Sequence, residues 1–234
     1  MSIWGWNTML RVDKIEVFYG DFHVLHAASL QVETDEAVGI VGANGHGKST
    51  LLKAICGLIP IKAGEMVFDG HRINDLSAPQ LVERGLVYVA EDRRLFLDMT
   101  VKENLILGAY LPAAQKQKSQ NLALVFELYP RLQERQNQLA RTLSGGEAQM
   151  LALGRGLMSA AKFMAIDEPS LGLAPNLVHE MLQTIKRVND AGVTILLVEQ
   201  NLAQLDDFIS RVYRLEEGRV VDQGASAGTR GELL

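Results

Sequence analysis

The run Gly42-Ala43-Asn44-Gly45-His46-Gly47-Lys48-Ser49-Thr50 constrains the fold more than any other part of this 234-residue chain. It has the spacing G-x-x-x-x-G-K-[ST], with the apolar stretch Ala37 to Val41 before it and helical spacing from Ser49 to Cys56 after it, closed by Gly57 and Pro60. Strand, glycine loop and helix in that order call for a sheet with helices packed on it. Three glycines let the backbone wrap a phosphate chain, and free amides at the helix start offer partial positive charge. Lys48 would neutralise phosphate oxygens, and the Ser49 hydroxyl is placed to ligate Mg²⁺. His46 fills a variable position, where its ring either touches phosphate or faces solvent, solvent being the simpler reading.

A second constraint is Phe163-Met164-Ala165-Ile166-Asp167-Glu168, an apolar strand that ends in two carboxylates. Such an ending is costly unless a cation awaits it. Beside a phosphate loop, Asp167 is expected to hold Mg²⁺ through its water shell, and Glu168 to orient and polarise a water for in-line attack on a γ-phosphate. The plainer alternative is that both acids cap the following helix.

Strand patterns run over 10–19 and 24–33 around Gly20-Asp21, then over 66–68, 86–90, 163–166 and 194–198. Residues 212–215 and 219–221 flank Glu216-Glu217-Gly218 as a hairpin. Thr100-Val101-Lys102-Glu103 is a capping box, and helical spacing covers 122–132, 147–161 and 176–189. The polar stretch 112–120 reads as a surface loop. Short apolar runs separated by helices predict a parallel sheet covered on both faces. The expected organisation is one α/β domain over 1–234, with its core in 1–92 and 161–234 and a mostly helical subdomain in 93–160.

Composition serves mainly to exclude. The longest uncharged stretch, 104–115, is shorter than the ~20 apolar residues of a spanning helix. A formal net charge of −5 with scattered Lys and Arg gives no footprint for nucleic acid. A single cysteine, Cys56, excludes an internal disulfide and fits a reducing compartment. The apolar start, 1–10, lacks the basic region of a secretory signal, and Met9 offers an alternative start. The tail, 224–234, reads as either a short helix or disorder.

Leu143-Ser144-Gly145-Gly146-Glu147 contains a second capping box, Ser144 with Glu147, enclosing two glycines at a helix start. That is an anion site, yet the phosphate loop already holds the triphosphate. A second subunit facing head to tail would supply the missing anion. Phosphate loop, Ser-Gly-Gly-Glu run and acidic pair, in that order, resemble the ABC ATPases over nearly the whole chain. The resemblance implies a P-loop NTPase fold with a mainly parallel central sheet, an N-terminal antiparallel β portion and a helical subdomain. It also implies that Tyr19 stacks on adenine, the alternative being a strand-end aromatic in the core, and that 144–147 contact the γ-phosphate held by the opposite subunit. Ser170-Leu171-Gly172-Leu173 would join the two sites.

Residues 90–96, Asp167 to Pro175 and Val198-Glu199-Gln200-Asn201 are similar to the ATPases of high-affinity branched-chain amino-acid importers, most of all the smaller of the two ATPase types. The implied function is ATP hydrolysis at the cytoplasmic face of the cell membrane. The implied partners are a second ATPase subunit, two integral permeases and an upstream substrate-binding protein, with ATP and Mg²⁺ as cofactors. Three residues depart from the general ABC pattern: Glu147 and Glu91 where Gln is usual, and Gln200 where most members carry a His that contacts the γ-phosphate. Glu91 can still ligate Mg²⁺ but adds negative charge, as does Asp92. A neutral Gln200 donates a weaker hydrogen bond than a charged His, so hydrolysis at this site is expected to be slow. Other readings are a urea or short-chain amide importer, a soluble ABC ATPase acting on DNA or ribosomes, and an ATP-gated assembly module. Neither a coiled-coil insertion nor a second cassette is present to favour the soluble kind.

Overall fold

The computed structural model describes residues 7–200 and 208–225. The expectations for residues 1–6 and for most of the tail fall outside that range, as does Asn201. Four antiparallel strands form one sheet: β1 (Thr8–Tyr19), β2 (Phe22–Glu33), β4 (Ala63–Phe68) and β5 (His71–Arg72), in the order β2-β1-β4-β5. Met9 lies inside β1. The second sheet contains β3 (Ala37–Val41), β6 (Leu86–Val89), β7 (Phe163–Asp167), β8 (Thr194–Glu199), β9 (Arg211–Glu216) and β10 (Arg219–Ala225), in the order β10-β9-β3-β8-β7-β6. Five of these strands run parallel, and β10 returns antiparallel along β9.

Strands β3, β7 and β8 are buried along their whole length, and their alternating side chains feed two cores. Val38, Ile40, Phe163, Ala165, Leu196 and Val198 pack with α1 (Lys48–Ile55) and the antiparallel sheet. Met164, Ile166, Ile195 and Leu197 pack on the other face against helices. Each fully buried Leu or Ile contributes about 1.5–3 kcal/mol, so continuous apolar runs stabilise a sheet covered on both sides. The uniformly apolar strands and the strand-loop-helix motif therefore have one solution, and it fixes where β3, β7 and β8 end.

Between β6 and β7 the regular structure is helical, with loops between the helices and an isolated Thr100–Leu139 bridge. Here lie α3 (Val101–Gly108), α4 (Pro112–Lys116), α5 (Lys118–Leu128), α6 (Pro130–Glu134) and α7 (Gly145–Leu157), and α8 (Pro175–Asp190) links β7 to β8. The stretch expected as a loop, 112–120, is instead α4 and the start of α5. Pro112 at the first helical position suits the fixed φ of proline, and buried Ala114 anchors the turn. The continuous helix expected over 122–132 is broken by Pro130, which has no N–H to extend it. One further helix, α2 (Ala78–Glu83), starts from a Ser77/Gln80 capping box. No helix among the described residues is long and apolar enough to cross a membrane.

Candidate functional site

The loop from β3 to α1 is pressed against the β9-β10 hairpin. A Cβ on Gly42 would lie 2.2 Å from the Leu215 carbonyl oxygen, so only glycine fits without displacement. Gly47 has φ +96, and a Cβ there would also meet Leu25 Cδ2 at 2.9 Å. As the residue before α1 it offers no side chain to the first-turn amides, which stay available to a ligand. The His46 ring is engaged through one of its two nitrogens. Its half-buried Nδ1 lies 3.2 Å from the Leu215 carbonyl oxygen, which requires Nδ1 to carry the proton, and its own carbonyl accepts from Gly218 N–H at 3.1 Å. The histidine ties the loop to the hairpin.

Buried Lys48 donates from Nζ to the Ala43 carbonyl at 3.2 Å and pairs with Glu168 Oε1 at 3.0 Å, with only 3% and 8% of the two side chains exposed. Asp167 Oδ1 accepts from Ser49 Oγ at 3.0 Å, and Oδ2 accepts from Tyr88 Oη at 2.7 Å. Burial raises the Asp167 carboxyl above the usual range, opposed by these two bonds. Burial and the Asp167 charge push the Tyr88 phenol upward, so it remains a donor. Gln200 Nε2 donates to Glu168 Oε2 at 2.7 Å. Glu168 itself sits at φ +41, a left-handed conformation strained for a residue with a side chain.

Lys48, Ser49, Glu168 and Gln200 line a cleft of about 360 Å³ together with Asn44 and Gly45 of the loop, Thr50 of α1 and Glu91, while buried Asp167 reaches it through its bond to Ser49. Glu91 is exposed within it. The helix-capping alternative for the acids fails, because both carboxylates are bonded to residues of this cleft. Tyr19 and the 144–147 run are not among the residues lining the cleft. Tyr19 is 49% exposed at the end of β1, opposite Phe22, which rules out a core aromatic. Ser144 caps α7 as expected: its hydroxyl accepts from Glu147 N–H at 3.3 Å, and its N–H donates to Glu147 Oε2 at 2.9 Å. The other Glu147 oxygen pairs with Arg135 at 2.8 Å.

Several residues here had no role assigned from sequence. Tyr88 carried a weak signal, a polar-tipped aromatic in the short β6 run facing the acidic strand. Arg155 of α7 donates to the Arg94 and Arg93 carbonyls at 2.6 and 2.9 Å, while Arg93 Nε reaches Gln149 Oε1 at 2.9 Å. Arg93 and Arg94 both have positive φ, so the loop after Glu91 is held to the helix in a strained form.

The sequence matches the ABC transporter family over residues 25–171. The chain belongs to this family. It is an ABC ATPase. It is 42% identical over 227 residues to the high-affinity branched-chain amino acid transport ATP-binding protein BraG of Pseudomonas aeruginosa, with 96% of this chain and 97% of that one covered. Identity to the probable branched-chain amino acid transport ATP-binding protein LivF of Archaeoglobus fulgidus is 34%, covering 97% and 94%. The fold of this ABC ATPase superposes on a nucleotide-free ATP-binding cassette of an ABC transporter with a TM-score of 0.85 at 26% identity, covering 94% and 92%.

Proposed function

We propose that this ABC ATPase powers import of branched-chain or closely related amino acids through two partner permeases, working from the cytoplasmic face of the membrane. The observation that carries the reading is the 42% identity to a branched-chain amino acid transport ATP-binding protein across 96% of the chain. In the mechanism, the loop amides and Lys48 take the β- and γ-phosphates, and Tyr19 stacks on the adenine. Lys48 then leaves Glu168 for phosphate, which frees the carboxylate to accept a proton from the attacking water. Gln200 keeps the freed carboxylate oriented through its amide. A divalent cation suits the paired oxygens of Ser49 and Asp167, with Glu91 exposed in the same cleft. Mg²⁺ bound there would offset charge on the phosphate oxygens.

Residues 144–147 of each subunit complete the site of the other, so the working unit is a dimer of ATPases. With Gln200 already committed to Glu168, this chain pairs with a different ATPase whose site turns over at another rate. Gln200→His raises phosphate release at saturating ATP on this reading, and an unchanged rate would count against it. Motion reaches the permeases through a groove of about 570 Å³ between β6 and the helices, rimmed by exposed Phe96, Leu107 and Tyr110. Arg93 and Arg94 line that groove just beyond Glu91, so a permease helix seated there senses the nucleotide cleft. Residues 93–160 act as the moving lobe against a core of 1–92 and 161–234.

The test is recovery of the tagged chain from native membranes, with Lys48→Ala alongside and partners identified by mass spectrometry. Two permeases and a second, His-bearing ATPase support the import reading. Ribosomal or DNA-repair proteins without a permease overturn it.

A further inference from the structure

One buried acid beside the cleft takes no part in the chemistry above. Glu199 ends β8 and is 1% exposed. Its Oε1 accepts from Ser170 N–H at 3.2 Å, and its Oε2 accepts from Ser170 Oγ at 2.8 Å. Burying a carboxylate is unfavourable unless its hydrogen bonds are made, and here both oxygens accept from Ser170, two positions after Glu168, with the Gln200 backbone N–H adding a further bond. The backbone between them is strained at Glu168, and such strain persists only where the surroundings over-determine the chain. They do so here. Glu168 N–H donates to the Val198 carbonyl at 3.0 Å, and Leu171 N–H closes the turn on the Glu168 carbonyl at 3.1 Å. Val198, Glu199 and Gln200 thus grip the turn in succession, at the Glu168 backbone, at Ser170 and at the Glu168 carboxylate.

We propose that Glu199 is a positioning residue for hydrolysis, holding Ser170 so that the turn keeps the Glu168 carboxylate aimed into the cleft. This rests on the reading of Glu168 as the group that activates water. Burial, reinforced by the neighbouring Glu168 charge, pushes the Glu199 carboxyl up to about 7, against the pull of the Ser170 bonds. Glu168 is the charged group facing it from the turn after β7, and its register partner on β3 is the apolar Val41. Protonation turns one acceptor oxygen into a hydroxyl, so the grip on Ser170 weakens as pH falls through about 7.

ATP affinity and kcat are measured from about pH 6 to about pH 8, on the full chain in the membrane complex from which it is recovered. The proteins are wild type, Glu199→Ala, Glu199→Gln, Ser170→Ala and Glu168→Gln. Glu199→Ala loses about tenfold or more in kcat with ATP affinity nearly unchanged, and Ser170→Ala follows it in the same direction. Glu199→Gln can still accept from Ser170 N–H, so it recovers most of the rate. Having nothing to titrate, it also loses the rise in kcat through about pH 7 that wild type shows. A wild-type kcat in Glu199→Ala, or a wild-type pH profile in Glu199→Gln, overturns the proposal. Should Glu199→Ala fail to fold, the Glu199→Gln profile decides alone. Turnover retained in Glu168→Gln would instead bring down the reading of Glu168. A silent Glu168→Gln beside an unaffected Glu199→Ala brings down only the positioning role.

Discussion

Lys48 and Glu168 are each other's counter-ions, and both are almost fully buried. On the proposed mechanism ATP must break that pair, so part of its binding energy would go into freeing Lys48 from a carboxylate that would otherwise repel the γ-phosphate. Glu168→Gln removes the repulsion and leaves Lys48 free to bind phosphate. The expected outcome is ATP bound at least as tightly as in wild type, read by equilibrium titration, while phosphate release falls by about 10²-fold or more. Weaker ATP binding in this variant would mean that Glu168 organises the cleft rather than activating water. The carboxylates of the cleft were legible from sequence because a strand of Phe, Met, Ala and Ile has no reason to end in two acids. Glu199 was not legible, since its strand is no less apolar but nothing in the letters says that Ser170 folds back onto it.

Among the elements, the β9-β10 hairpin has the most direct hold on the phosphate loop. Leu215 packs its carbonyl against Gly42 and receives His46, and Gly218 closes the contact. Gly42→Ala must displace either the loop or the hairpin, at a cost of about 1–3 kcal/mol, and a chain of this size loses about 2–4 °C in Tm per kcal/mol. ATP affinity falls with it, because the moved loop carries the amides. Thr100→Ala is the control: it removes the α3 cap, costs about 1 kcal/mol and leaves ATP affinity alone. Thermal melts paired with ATP titrations separate the two, and a Gly42→Ala protein that melts lower yet binds ATP normally would argue against the clasp. The hairpin itself was readable from Glu216-Glu217-Gly218, but its docking onto the loop was not, being a contact between segments far apart in sequence. The start of helix α2 is signalled only by Ser77 and Gln80, in a stretch with little apolar periodicity. Pro112 likewise opened a helix where polarity suggested a loop. In both cases the residues of the first turn, a capping box in one and a proline at the first helical position in the other, outweighed composition.

At the scale of the whole molecule, the two cores meet across one sheet, and the sequence foretold that sheet because β3, β7 and β8 are too apolar to face water. On the proposed reading, what one chain leaves incomplete is the pair of half-sites. The Ser144 cap and its two glycines sit at the start of α7 away from the cleft of their own subunit, while Arg155 ties that same helix to the loop after Glu91. A nucleotide held between two cassettes would therefore be read by α7 from one side and by the Glu91 loop from the other, and the Arg155 bonds join those two readings within each chain. Association should then depend on ATP and be strongest when hydrolysis is blocked. Mixed with its partner ATPase, Glu168→Gln is expected to form a dimer with ATP and to separate into monomers on its removal, by light scattering after size exclusion. Adding Ser144→Arg to that variant places a bulky cation at the α7 start and should abolish the dimer while leaving ATP titration of the monomer unchanged. A dimer that survives Ser144→Arg would put the contact elsewhere on the cassette and leave the second anion site without its phosphate.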